Sequence, residues 1–221
     1  LAQVNGPSTL YAASLPKIAI LLGAAVAIEE GRLTPDQALR EDIENMIRHS
    51  CNACANRVLA EVGREALLEI LQSPRYALYD PLRGGGLWVG KEYARNPAYQ
   101  RDPLNGLSHG ATTFQVARFY CRLHRGTLVS PEQDRMMLQA LSRPGIEHKF
   151  VKGLSSVQGL ELYRKSGTWR SFHADSVLVR SGEHAYVLAA LADDPEGEAW
   201  LERLAQPLHD LAMAPPGRTA P

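Results

Sequence analysis

An eleven-residue apolar run, Ile18 to Ile28, constrains this chain more than any other feature. Pro16 stands just ahead of it and suits a first helical turn, and Gly31 follows it as a candidate C-cap. The run is too short to cross a bilayer, which takes about 20 apolar residues. A helix apolar on every side must instead be wrapped by other elements at the centre of a domain. The 221 residues suffice for one to two domains. Hydrophobic residues make up 45% and charged residues 22%, which excludes disorder and collagen-like repetition. Twenty-four basic residues balance twenty-four acidic ones. A protein that neutralises nucleic-acid phosphates shows a basic excess, so no nucleic-acid partner is expected.

Along the chain, helical periodicity comes first and alternation last. Thr9 to Ala13 reads as a short extended segment. Helices are predicted from Ser14 to Glu30, from Thr34-Pro35-Asp36 to about Arg48, through about Glu61, over Arg64 to Leu71, from Phe114 to His124, and from Ser130-Pro131 to before Pro144. Residues 73–112 hold most of the glycine and proline signals and read as a loop-rich excursion. Leu160 to Thr168, Ala174 to Val179 and His184 to Ala192 read as strands. Glu196 to Met213 reads as a last amphipathic helix, and Pro215 onward as a frayed tail. This order predicts an α+β fold of two lobes. Residues 1–13 and 146–221 would form an antiparallel sheet flanked by helices, and residues 14–145 an all-α lobe. Cys51, Cys54 and Cys121 lack the count for a disulfide framework and the spacing for zinc, so they read as packed thiols. No metal or cofactor is expected.

Three clusters carry chemistry. Ser14-Leu15-Pro16-Lys17 puts a hydroxyl and an amine three residues apart, on one face of a helix start. A serine needs a base to become a nucleophile, and a lysine serves when burial lowers its pKa. Ser50-Cys51-Asn52, between two helices, offers a hydroxyl that can relay a proton and an amide that can donate and accept. Lys165-Ser166-Gly167-Thr168, at a strand end, offers a cation and hydroxyls, with a glycine that lets backbone approach.

In order and spacing these clusters resemble the S-x-x-K, S-D-N and K-T-G motifs of the penicillin-recognising serine hydrolases, class A β-lactamases in particular. The resemblance implies that Ser14 is acylated, Lys17 is its base or part of the proton network, and Ser50 passes a proton to the leaving nitrogen. Asn52 would hold Lys17 and a substrate amide, while Lys165 and Ser166 would bind the substrate carboxylate. The N–H groups of Ser14 and Thr168 would form the oxyanion hole, at about 3 kcal/mol per donor. It further implies a β-lactam or peptidoglycan-like substrate, a monomer, an antibiotic-resistance role, and a periplasmic or secreted location. A penicillin-binding, D,D-peptidase or esterase reading with slow deacylation, and a non-catalytic ligand sensor, are the alternatives. The pattern departs from the family where Cys51 replaces aspartate and where the E-x-x-L-N glutamate is missing. Arg101-Asp102-Pro103-Leu104-Asn105 stands in that region, so Asp102 is a candidate deacylating base, and also a candidate turn residue. His109 is a further candidate base or a structural histidine. The family places a helix and a strand before its nucleophile, whereas thirteen residues precede Ser14 and Leu1 is not Met, consistent with a missing N-terminal piece.

Overall fold

In the computed structural model, which describes residues 2–214, the apolar run becomes α1 (Lys17–Glu29), buried without interruption from Lys17 to Ala27. Its wrapping consists of α2 (Gln37–Arg48), α3 (Asn52–Val62), α4 (Arg64–Gln72) and α6 (Pro131–Leu141), while α5 (Thr113–His124) packs on α6 and on the C-terminal sheet. The side chains read as helix starts do cap. Asp36 accepts from the Leu39 N–H at 2.8 Å, Thr112 from Gln115 at 3.2 Å and Ser130 from Gln133 at 3.4 Å, each satisfying an otherwise unpaired N–H.

Between α4 and α5 the loop-rich stretch contains four very short strands: β2 (Tyr79–Asp80), β3 (Gly85–Gly86), β4 (Trp88–Val89) and β5 (His109–Ala111). The N-terminal strand, β1 (Leu10–Tyr11), pairs with β5, which also pairs with β4. The backbone hydrogen bonds of this segment thus go to the excursion, while its Tyr11 ring meets Phe172 of the C-terminal sheet at 5.4 Å. Phe114 N–H to Gly6 O (3.1 Å) and Ala12 N–H to His109 O (2.9 Å) fasten the segment there.

The main sheet is antiparallel, β6 (Glu161–Trp169), β7 (Phe172–Ser181) and β8 (His184–Asp193) in sequence order, so β6 lies at an edge, where Tyr163 makes a single bridge with Ser142. One face, through Ala174 and Leu178, joins the large core around α1. The other buries Val177, Val179 and Leu188 against Phe150 and Leu154 of the α7 region (α7, Phe150–Gly153) and Leu201 and Ala205 of α8 (Gly197–Met213). The stretch from Pro215 lies outside the described residues. Among the described residues no helix is long and apolar enough to cross a membrane.

Cys51 and Cys54 are joined in a disulfide across the first turn of α3, which corrects their reading as thiols. Residues three apart at a helix start are close enough to pair, although counting cysteines does not reveal it. Cys121 is free.

Candidate active site

Ser14 stands in the turn that leads into α1, where the Lys17 N–H donates to Ser14 O at 3.2 Å. The helix proper starts at Lys17, three residues later than the sequence suggests. The stretch before it forms tight turns, Lys17 N–H to Ser14 O and Ile18 N–H to Leu15 O at 3.2 Å each, and Pro16 disfavours helical backbone at the preceding Leu15. Ala13 before the serine has left-handed backbone (φ 50), as does Ser50 (φ 56). For residues other than glycine this costs on the order of 1–3 kcal/mol and is held by the surrounding packing.

Lys17 is fully buried, and its Nζ faces four acceptors: Ser50 O at 2.6 Å, Asn52 Oδ1 at 2.7 Å, Ser14 Oγ at 3.2 Å and Ser50 Oγ at 3.4 Å. The Tyr93 ring covers it at 4.4 Å, and no carboxylate pairs with it among the described residues. Burial lowers its pKa to about 7. At neutral pH a large share of this amine is therefore free to take a proton.

Lys165, from β6, reaches the same place. Its Nζ donates to Ser50 Oγ at 2.9 Å and to Ser166 O at 2.8 Å. Burial, then the positive charges of Lys17 and Arg164, push its pKa well below the ordinary lysine value. Ser50 Oγ thus lies between two amines, one from the central helix and one from the sheet. Gly167 lets the sheet edge come this near. A Cβ there would lie 2.2 Å from Ala12 O and 2.7 Å from the Ser14 nitrogen, so the Gly167–Thr168 backbone and the Ser14 amide are neighbours. An open cleft of about 350 Å³ is bordered by Ser14, Asn52, Tyr93, His109, Thr168 and Trp169, with the buried amines of Lys17 and Lys165 hydrogen-bonded to groups at or behind this border. A second hollow, about 250 Å³, lies between α1, α2 and α6 and contains none of the residues discussed for catalysis.

Asp102 is not part of this assembly, which corrects its candidacy as deacylating base. Its carboxylate is buried and accepts from the Tyr79 hydroxyl and from the N–H groups of Asn105 (2.8 Å), Leu104 (3.2 Å) and Leu107 (3.4 Å). Both oxygens accept from N–H groups of the 102–107 loop, and none of its hydrogen bonds leads to Ser14, Lys17, Ser50 or Lys165. His109 borders it, but its Nε2 faces Lys91 O at 2.9 Å and its Nδ1 faces Ser108 Oγ at 3.2 Å. Burial lowers its pKa to about 4, so it stands neutral with both nitrogens occupied. His173 is packed under Gly197, and Trp88 is buried with its Nε1–H donated to Gln100 O.

The sequence reading missed the support behind β6. Lys149 is fully buried and donates to Gly167 O (2.7 Å), Thr168 Oγ1 (2.8 Å) and Ala174 O (3.1 Å). Its neighbour His148 touches Ser166 Oγ at 3.2 Å. A compositional signal was present: lysine is scarce beside arginine, and three of the five lysines are buried.

Comparison with known proteins identifies the fold. A β-lactamase from Sphaerobacter thermophilus superposes with a TM-score of 0.80 at 18% identity, over 98% of this chain and 88% of that one. The penicillin-binding protein PBP-A gives 0.68 at 19% identity over 93% and 83%. A β-lactamase from Burkholderia vietnamiensis gives 0.76 at 14% over 96% and 86%. At these identities the likeness is one of fold. No curated protein matches the sequence at a significant level. The model of the beta-lactamase enzyme family matches residues 38–212. That span is more than three quarters of the chain and includes the Ser50–Asn52 and Lys165–Thr168 clusters, and the chain therefore belongs to the beta-lactamase enzyme family of serine hydrolases.

Proposed function

We propose that the protein opens β-lactams through an acyl-enzyme on Ser14 and then hydrolyses that ester. The observation that carries this is the continuous run of polar atoms Ser14 Oγ, Lys17 Nζ, Ser50 Oγ and Lys165 Nζ, with separations of 3.2, 3.4 and 2.9 Å. Lys17, partly unprotonated near pH 7, takes the Ser14 proton as Oγ attacks the lactam carbonyl. The oxyanion is received by the Ser14 and Thr168 N–H groups. As the C–N bond breaks, the proton passes from Lys17 through the Ser50 hydroxyl to the leaving nitrogen, which leaves the amine neutral again. Lys165 and Ser166 bind the carboxylate of the substrate, and Asn52 holds Lys17 in place.

With Asp102 committed to its loop, the same amine is the base for the second half. Lys17 removes a proton from water, the hydroxide attacks the ester, and Ser14 Oγ departs with the proton. A point mutant of PBP-A has been solved as an acyl-enzyme with penicillin G, which makes that ligand a natural first substrate. The site is assembled from one chain, in keeping with action as a monomer. The Cys51–Cys54 bond suits an oxidising compartment, and so a periplasmic or secreted protein that removes β-lactam antibiotics. Steady nitrocefin hydrolysis that disappears in Ser14→Ala is the expected result. Equal rates in the two proteins would refute the assignment.

A further inference from the structure

A second hydrogen-bonded chain meets the site from behind the edge strand. His148 lies between α8 and β6, with its Nδ1 3.1 Å from Glu198 Oε2 and its Nε2 3.2 Å from Ser166 Oγ. The segment bearing it is fastened from several sides. Arg164 donates to Ile146 O (2.8 Å) and His148 O (3.3 Å) while pairing with the buried carboxylate of Asp175, which also accepts the Phe150 N–H at 3.1 Å. Next to it, Lys149 holds left-handed backbone (φ 54) so that its amine reaches β6.

Hydrogen-bond bookkeeping gives the imidazole two states. The Glu198 carboxylate only accepts, so Nδ1 carries a hydrogen in both. In the neutral ring Nε2 is a lone pair, and the Ser166 hydroxyl donates its hydrogen to it. In the protonated ring Nε2–H donates to Ser166 Oγ, and the hydroxyl hydrogen is released. We propose that His148 is a proton-controlled specificity residue: protonation reverses its hydrogen bond to Ser166 and makes that hydroxyl a donor to the substrate carboxylate. The inference rests on the reading of Ser14 as the acylated serine and Ser166 as a carboxylate ligand.

The charges around the ring support this role. Glu198 faces it from α8, Arg164 from β6, Asp175 from β7 and Lys149 from its own segment, while His173 faces Glu198. Burial, then Arg164 and Lys149, push the His148 pKa below the ordinary imidazole value, against the pull of Glu198 and Asp175. The free enzyme therefore holds a neutral ring near pH 7. A bound carboxylate favours the charged ring, so one proton is taken up with it. Two neighbouring cations are committed, Lys149 to three acceptors and Arg164 to Asp175, while Lys165 meets the carboxylate from the side of Ser50.

The test compares acylation by a penicillin and by its uncharged methyl ester, between about pH 5.5 and 8, the range over which imidazoles titrate. Their rate ratio cancels the titration of Lys17, which both compounds share. In the wild type the ratio should rise about tenfold toward acid, as one charge-assisted hydrogen bond is gained. His148→Gln should flatten the ratio, and Glu198→Gln should move its midpoint to lower pH. In Ser14→Ala, the NMR titration of His148 should move to higher pH when a penicillin is present. A ratio independent of pH, a wild-type profile in His148→Gln, or an unmoved NMR titration overturns the proposal. In those cases Ser14 would still be labelled. If neither compound labels Ser14, the assigned function falls, and this inference with it.

Discussion

Lys17 concentrates the chemistry of this protein into one amine. Burial moves its pKa from the ordinary 10.5 to about 7, and in the proposed mechanism the unprotonated form is the base. Acylation of Ser14 should accordingly accelerate as pH rises through about 7 and level off above it, with kcat/KM for the uncharged ester as the readout. A profile flat from pH 6 to 8, a range on either side of that midpoint, would remove Lys17 from the role. Gly167 is the second residue on which the site turns. A methyl group there would press on Ala12 O and the Ser14 amide, displacing the sheet edge from the nucleophile. Misplacement by about 1 Å can cost about 100-fold in rate. Gly167→Ala should show a loss of that order in acylation rate, with circular dichroism unchanged.

At the level of elements, α3 is the piece that carries both Ser50 at its entrance and Asn52 in its first turn, and the Cys51–Cys54 bond spans that turn. Closing so short a loop contributes about 2 kcal/mol by the chain-entropy relation. The double variant Cys51→Ala/Cys54→Ala should lose about that much in urea denaturation and acylate more slowly, because Ser50 and Asn52 are then held less firmly. Long elements with strong periodicity were legible in the sequence: α1 from its apolar run, α5 and α6 from Thr112 and Ser130, and the three main strands from their alternation. The two-residue strands β2 to β4 were not, since two residues carry no period, whereas β1 falls inside the extended segment read over Thr9 to Ala13. Their pairings are set by contacts distant in sequence, such as Ala12 with His109. The serine, lysine and asparagine clusters could be read because local spacing alone places them. Asp102 misled because an aspartate before a proline looks the same whether it faces a water or its own loop. His148 and Lys149 escaped notice because their partners lie 16 to 50 residues away on β6, β7 and α8.

Over the whole molecule, the site is placed where the central helix, α3 and the sheet edge meet, and its amines oppose folding. Lys17 and Lys149 titrate at about 7 and about 8 when folded, against 10.5 for an ordinary lysine. Between those values the unfolded chain binds the extra protons, so stability rises with pH across the window from about 7 to 10.5 and the gain is absent below it. Each such lysine contributes a slope of up to about 1.4 kcal/mol per pH unit. Replacing Lys17 with Met should raise stability at pH 7 and reduce that slope in urea unfolding at several pH values. An unchanged slope would mean that the amine is solvated. The convergence of these groups on Ser14 is tested most directly by intact-protein mass spectrometry over time after addition of penicillin G, with peptide mapping of any adduct. One penicillin should attach to the peptide containing Ser14, at that residue, and then be lost as water regenerates the free protein, while Ser14→Ala stays unmodified. A wild-type protein that never gains the mass, or an adduct that persists in Ser14→Ala, would contradict the mechanism.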